Sequence, residues 1–131
     1  MNDAGSITLK NGILEYSSES YGSWSLPFDE VAIIAEATNQ NGPFADDYFF
    51  IFVPKDFSTW FEASFYVSNR EEFLKALSSY LEVQIQLELV SSTSSASRIL
   101  WPAEKVGEPL FEYRSISRFK NRQEFRSDLL P

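Results

Sequence analysis

The chain has 131 residues, 44% of them apolar and 23% charged, proportions of one folded domain rather than of a disordered chain. It contains no histidine and no cysteine, which excludes histidine-dependent triads, cysteine nucleophiles, disulfides, zinc fingers and haem ligated by either residue. A net charge of −8 argues against generic nucleic-acid binding, and the longest apolar run, Tyr48–Val53, is far too short to predict a membrane span.

Ile7 and Leu9 alternate with polar residues, Asn11-Gly12 offers the left-handed pair of a tight turn, and Ile13–Tyr16 returns, which predicts a hairpin over 7–16. Ser17–Ser23 is a polar connector; Trp24, Leu26 and Phe28 alternate, with Pro27 placing that segment at an edge or bend. Val31–Glu36 predicts a strand with Val31, Ile33 and Ala35 on one side, and Asn39–Pro43 carries the turn signal Asn-Gly-Pro. Tyr48–Val53 is apolar at every position and predicts a central strand covered on both faces. After a turn at Pro54–Ser58, Trp60–Val67 alternates, with Phe61, Ala63, Phe65 and Val67 opposed to Trp60, Glu62, Ser64 and Tyr66.

Ser68 followed by Glu71 has the spacing of a capping box, and Phe73, Leu74, Leu77 and Leu81 form one stripe, so a helix is predicted over 69–81. In 83–90, Val83, Ile85, Leu87 and Leu89 alternate with Gln84, Gln86 and Glu88, the pattern of a half-buried antiparallel strand. Ser91–Ser97 reads as a loop, Arg98–Trp101 and Leu110–Tyr113 as short strands, and Ile116, Phe119, Phe125 and Leu129 as the imperfect stripe of a C-terminal helix. The fold class is α+β: an antiparallel, strongly bent sheet or partly open barrel of about seven strands, with one packed amphipathic helix. Residues 1–113 form the globular domain, and 114–131 form a basic tail or docking helix.

Three segments together, Trp24–Ile34, Tyr48–Lys55 and the Glu71–Leu81 helix, resemble small bacterial pleckstrin-homology-like (PH-like) modules over residues 24–81. The resemblance implies a bent sheet with one mouth closed by an amphipathic helix and a non-catalytic binding role. In those modules the helix comes last, after seven strands, whereas here about three predicted strands follow it, which implies a permuted or extended arrangement. The hairpin around Asn11-Gly12 carries a single lysine, so lipid headgroup binding is not implied.

Charge is unevenly spread. Residues 1–113 hold 6 basic and 17 acidic side chains, a balance of −11, whereas 114–131 hold 5 and 2, a balance of +3. Arg114, Arg118, Lys120, Arg122 and Arg126 are therefore a candidate site for an anionic partner, or a surface that lies across the acidic body of this chain or of a neighbouring subunit. Trp24, Trp60, Tyr66 and Tyr113 fall on second strand faces, where they either line a groove for a peptide or small ligand or are covered by the helix or tail.

No catalytic residue, metal site or cofactor is predicted. Asp46, Asp47, Asp56 and Glu62 lack calcium-loop spacing and read as solvated strand ends, and the glycines form no nucleotide fingerprint. Ser117-x-x-Lys120 has the spelling of serine acyl enzymes without their partner motifs. The expected function is a cytoplasmic, non-catalytic binding module acting through a protein partner or self-association, with a small ligand left open. The alternatives are an acidic immunity- or antitoxin-type protein that neutralises a basic partner, and a carboxylate-based enzyme or small-ligand carrier.

Overall fold

The computed structural model describes residues 4–39, 47–89, 96–117 and 120–130, with side chains up to Glu112 and from Gln123 in the final strand pair. The predicted turn at Asn39–Pro43 and loop at Ser91–Ser97 lie mostly outside these residues. The architecture is α+β. A meander of β1 (Ser6–Lys10), β2 (Ile13–Ser18) and β3 (Gly22–Pro27) forms one sheet. A second sheet has the order β6-β5-β4-β7, from β4 (Val31–Thr38), β5 (Tyr48–Pro54), β6 (Phe61–Ser64) and β7 (Ala96–Trp101). Helix α1 (Arg70–Leu81) lies between β6 and β7 in the chain, and β8 (Phe111–Ser117) pairs with β9 (Lys120–Phe125) as a third sheet. Among the described residues all pairings are antiparallel, and nine strands in three open sheets stand where one bent sheet of about seven was expected. Among the described residues no helix is long and apolar enough to cross a membrane.

The four-stranded sheet is the middle layer. One face packs against the meander and α1 through Phe50, Phe52, Ile7, Leu14, Phe73 and Leu77. The other face packs against the region of the β8–β9 pair through Ile33, Ala35, Ile51, Val53, Phe111 and Phe125. β5 is buried on both faces, as its sequence predicts. In β4 a register shift between Val31 and Ile33 moves Val31 to the opposite core from Ile33 and Ala35, so the expected common side is broken by a bulge.

The turn at Asn11-Gly12 forms as predicted: both residues have positive φ, 55° and 73°, and Lys10 pairs with Ile13. The helix also forms, but not through the expected capping box. Asn69 precedes its first residue and makes no side-chain cap. Its amide instead accepts from the Ile7 N–H at 3.1 Å and donates to the Ile7 carbonyl at 2.6 Å, replacing a neighbouring strand at the outer edge of β1. Ser68 follows suit, its N–H reaching the Gly5 carbonyl at 3.1 Å. Glu71 and Glu72 remain in the first turn, where they favour the helix dipole. The outer edge of β6 is closed in a similar way: the Trp24 indole donates to the Glu62 carbonyl at 2.8 Å, and the Ser64 N–H reaches the Tyr16 phenol at 3.5 Å.

Two further expectations change. Residues 84–89 show the predicted alternation, with Ile85, Leu87 and Leu89 half-buried against exposed Gln84, Gln86 and Glu88, but they belong to no strand ladder. Alternation reports which face is buried, not whether a backbone partner exists. The C-terminal helix is replaced by β9 and a short 3-10 turn at Ser127–Leu129. Phe125 pairs with Phe111, their rings stacked at 5.8 Å, and Leu129 is buried in the same core. Residues 114–117 therefore continue a strand of the body rather than begin a separate helix.

If the Asn69 amide holds β1 to the helix start, Asn69→Ala should lower stability by about 1–3 kcal/mol in denaturant titrations. Asn69→Asp, a good helix cap, should fail to restore it, because a carboxylate cannot donate to the Ile7 carbonyl.

Candidate functional site

The predicted site residues whose side chains are described do not converge. Trp24 is half-buried in the core beneath the meander, with Phe61 at 5.3 Å and Phe52 at 5.5 Å between ring centres. Trp60 lies in the opposite core, 4.8 Å from Phe111 and 5.3 Å from Phe125, so the C-terminal strand pair packs against it. Tyr66 is exposed and donates to Asp47 at 2.6 Å. Arg126 is the basic tail residue with a described side chain, and it turns inward. Its guanidinium meets Glu108 and Asp128, each at 2.9 Å, and the hydrogen bond to Glu108 raises its pKa further. Tyr113, Arg114, Lys120 and Arg122 sit at strand positions of the β8–β9 pair, and Arg118 lies outside the described residues.

The described carboxylates read as solvated strand ends have separate partners, Asp47 the Tyr66 phenol among them. Glu62 accepts from the Trp60 indole at 3.0 Å. Asp56 accepts from the Ser58 N–H at 2.9 Å, a bond that lowers its pKa. Asp46 lies outside the described residues.

The most unusual chemistry surrounds a residue not singled out in the sequence. Glu36, in the middle of β4, has 0% exposure. Its carboxylate accepts from the Tyr48 phenol on β5, from the Glu88 N–H at 3.0 Å and from the Leu89 N–H at 3.1 Å. Arg98 of β7, its cross-strand partner, closes the set at 3.3 Å and also donates to the Gln86 carbonyl at 2.9 Å. Tyr48 stacks face to face on Phe65 at 4.0 Å, and the Arg70 guanidinium lies 4.1 Å from the Phe65 ring centre. Burial first, and then the hydrogen bond to Glu36, push the Tyr48 phenol far above its ordinary pKa. No buried side-chain polar atom among the described residues lacks a partner. This cluster ties β5, β7 and the 84–89 segment to β4, and its carboxylate and phenol are both buried.

Beside it runs a groove of about 220 Å³ between the 83–86 segment and the turn that follows β7. Val83, Leu100, Trp101, Ala103 and Val106 give it apolar walls, and Gln84, Gln86 and Arg98 give it a polar end. Val83 is 40% and Val106 45% exposed. Phe28 lies beneath, 5.9 Å from Trp101 and 4.7 Å from the exposed Tyr80. Exposed carboxylates adjoin the lining residues: Glu82 precedes Val83, Glu104 follows Ala103, and Glu88 lies 4.0 Å from Arg98, while the cations there are Arg98 in the lining and Lys105 next to Val106. Sequence reasoning missed this groove because it joins 83 to 106 across β7. The lone carboxylate in the otherwise apolar run 31–37 was the legible sign of the buried cluster. No known protein family, curated protein or solved structure matches the chain.

Two measurements probe the cluster. Glu36→Gln should cost about 3 kcal/mol in a denaturant titration, because it leaves the partly buried Arg98 with only the exposed Glu88, 4.0 Å away, as a counter-charge. Tyr48 has a folded-state pKa above its unfolded value near 10, so its contribution is fully present below pH 10 and is lost as pH rises beyond it. Between pH 9 and pH 11 the wild type should therefore lose more stability than Tyr48→Phe, which carries no titrating phenol.

Proposed function

We propose that this chain is a non-catalytic interaction module that takes a basic, apolar-anchored segment of a protein partner in the groove between Val83 and Val106. The observation that carries the reading is the combination of apolar walls, with Val83 and Val106 left exposed, and the flanking carboxylates Glu82, Glu88 and Glu104. Apolar contact supplies affinity, and a carboxylate rim supplies orientation and a faster encounter with a cationic partner. The −11 balance of residues 1–113 extends that field over the body.

The resemblance of residues 24–81 to PH-like modules supports the same class of role. A cysteine-free chain is compatible with a reducing, cytoplasmic setting. The neutraliser of a basic partner is a special case of this reading and uses the same field.

The test is a calorimetric titration with the peptide Lys-Lys-Leu-Phe-Lys-Lys, followed in parallel by tryptophan emission. Binding should weaken several-fold between 20 and 200 mM salt. It should fall at least tenfold in Val106→Asp and stay unchanged in Arg126→Glu. Equal binding by wild type and Val106→Asp would rule the groove out.

A further inference from the structure

The segment 84–89 is held in an unusual way. Among the described residues no backbone–backbone hydrogen bond joins it to a strand. Side chains serve its backbone instead. Ser78 accepts from the Ile85 N–H at 3.4 Å, Arg98 donates to the Gln86 carbonyl, and the two oxygens of Glu36 take the successive N–H groups of Glu88 and Leu89. Ile85, Leu87 and Leu89 pack half-buried on the core. Hydrogen bonds to the main chain together with apolar contacts for alternate residues are one mode by which proteins recognise extended peptides; here side chains take the place of a sheet edge as the source of those bonds.

We propose that this trough, read by Glu36 and Arg98, is a binding site for an extended peptide with apolar side chains at alternate positions, and that the chain's own 84–89 segment fills it in cis. The site is preformed. If the segment leaves, Glu36 keeps Tyr48 and Arg98 as partners, so the buried carboxylate stays neutralised and in place. The segment is also the element best suited to leave, since it breaks no ladder on release, and locally opening units are those with few cooperative backbone bonds. A partner strand of the same pattern then competes with it directly. This inference does not depend on the groove reading, and Val106→Asp leaves it untouched.

The experiment empties the site and refills it from outside. The triple variant Ile85→Ser, Leu87→Ser, Leu89→Ser removes the apolar anchors. A fluorescein-labelled peptide of residues 83–90, VQIQLELV, is added and polarisation is read. It should bind the emptied chain at least tenfold more tightly than wild type. Adding Glu36→Gln should abolish that gain, and the scrambled peptide VILLVQQE should not bind. A folded triple variant, judged by circular dichroism and cooperative unfolding, that binds VQIQLELV no better than wild type does would overturn the proposal. If the triple variant does not fold, amide exchange in wild type decides. The Glu88 and Leu89 amides should exchange at least a hundredfold faster than those of Phe50 and Ile51, and equal rates would overturn the proposal.

Discussion

A carboxylate in the middle of an apolar sheet is expensive to desolvate, and Glu36 stands there only because four donors converge on it. They come from three directions: Tyr48 on β5, Arg98 on β7, and the backbone at 88 and 89. Apolar packing alone tolerates sliding along a sheet face. Two carboxylate oxygens meeting two successive N–H groups do not, so this one side chain fixes the register of a segment that no ladder fixes. Arg98 depends on it in turn, since its guanidinium is mostly shielded from solvent. The position of the 84–89 segment, one wall of the groove and the pairing of β4 with β7 all meet at this charge.

Much of the fold was legible because local rules and tertiary structure agree. Asn11-Gly12 needs positive φ at both positions and has it. Tyr48–Val53 has no polar face and lies in the middle layer between two cores. The stripe that includes Phe73 and Leu77 makes a helix whose apolar side meets β5 and the meander. Where the readings diverge, a distant group outcompeted a near one. Asn69, one residue beyond the expected cap, is drawn to Ile7, and no rule of helix ends anticipates an acceptor and donor on a strand far away in sequence. The C-terminal stripe reads as helical when Phe125 is set beside its sequence neighbours, whereas its partner is Phe111 across a strand pair.

The site was less legible for the same reason. Strand alternation put Trp24 and Trp60 on second faces, but a middle layer has two cores, and they went to different ones. The charge count separated an acidic body from a basic end, yet Arg126 spends its charge on Glu108 and Asp128 within the chain. Glu36 was visible as an exception in an apolar run, although only three-dimensional structure reveals what neutralises it. Trp101, Val83 and Val106 belong to separate segments, and nothing in their spacing announces a shared wall.

The edges of the strand ladders carry a consequence for life at high concentration. Tyr48–Val53 is the kind of uncharged, β-prone run that seeds fibrils when another chain can add to its sheet. Its neighbour β6 ends that sheet, but the Trp24 indole already occupies the Glu62 carbonyl there, and the Tyr16 phenol stands at the next outward N–H. The Asn69 amide closes β1 in the same fashion. Side chains, not further strands, terminate these ladders, and they offer an incoming chain no continuous row of hydrogen-bonding groups. The same aromatic groups that join the two sheets, and the amide that joins β1 to the helix, thus keep these edges from adding another chain.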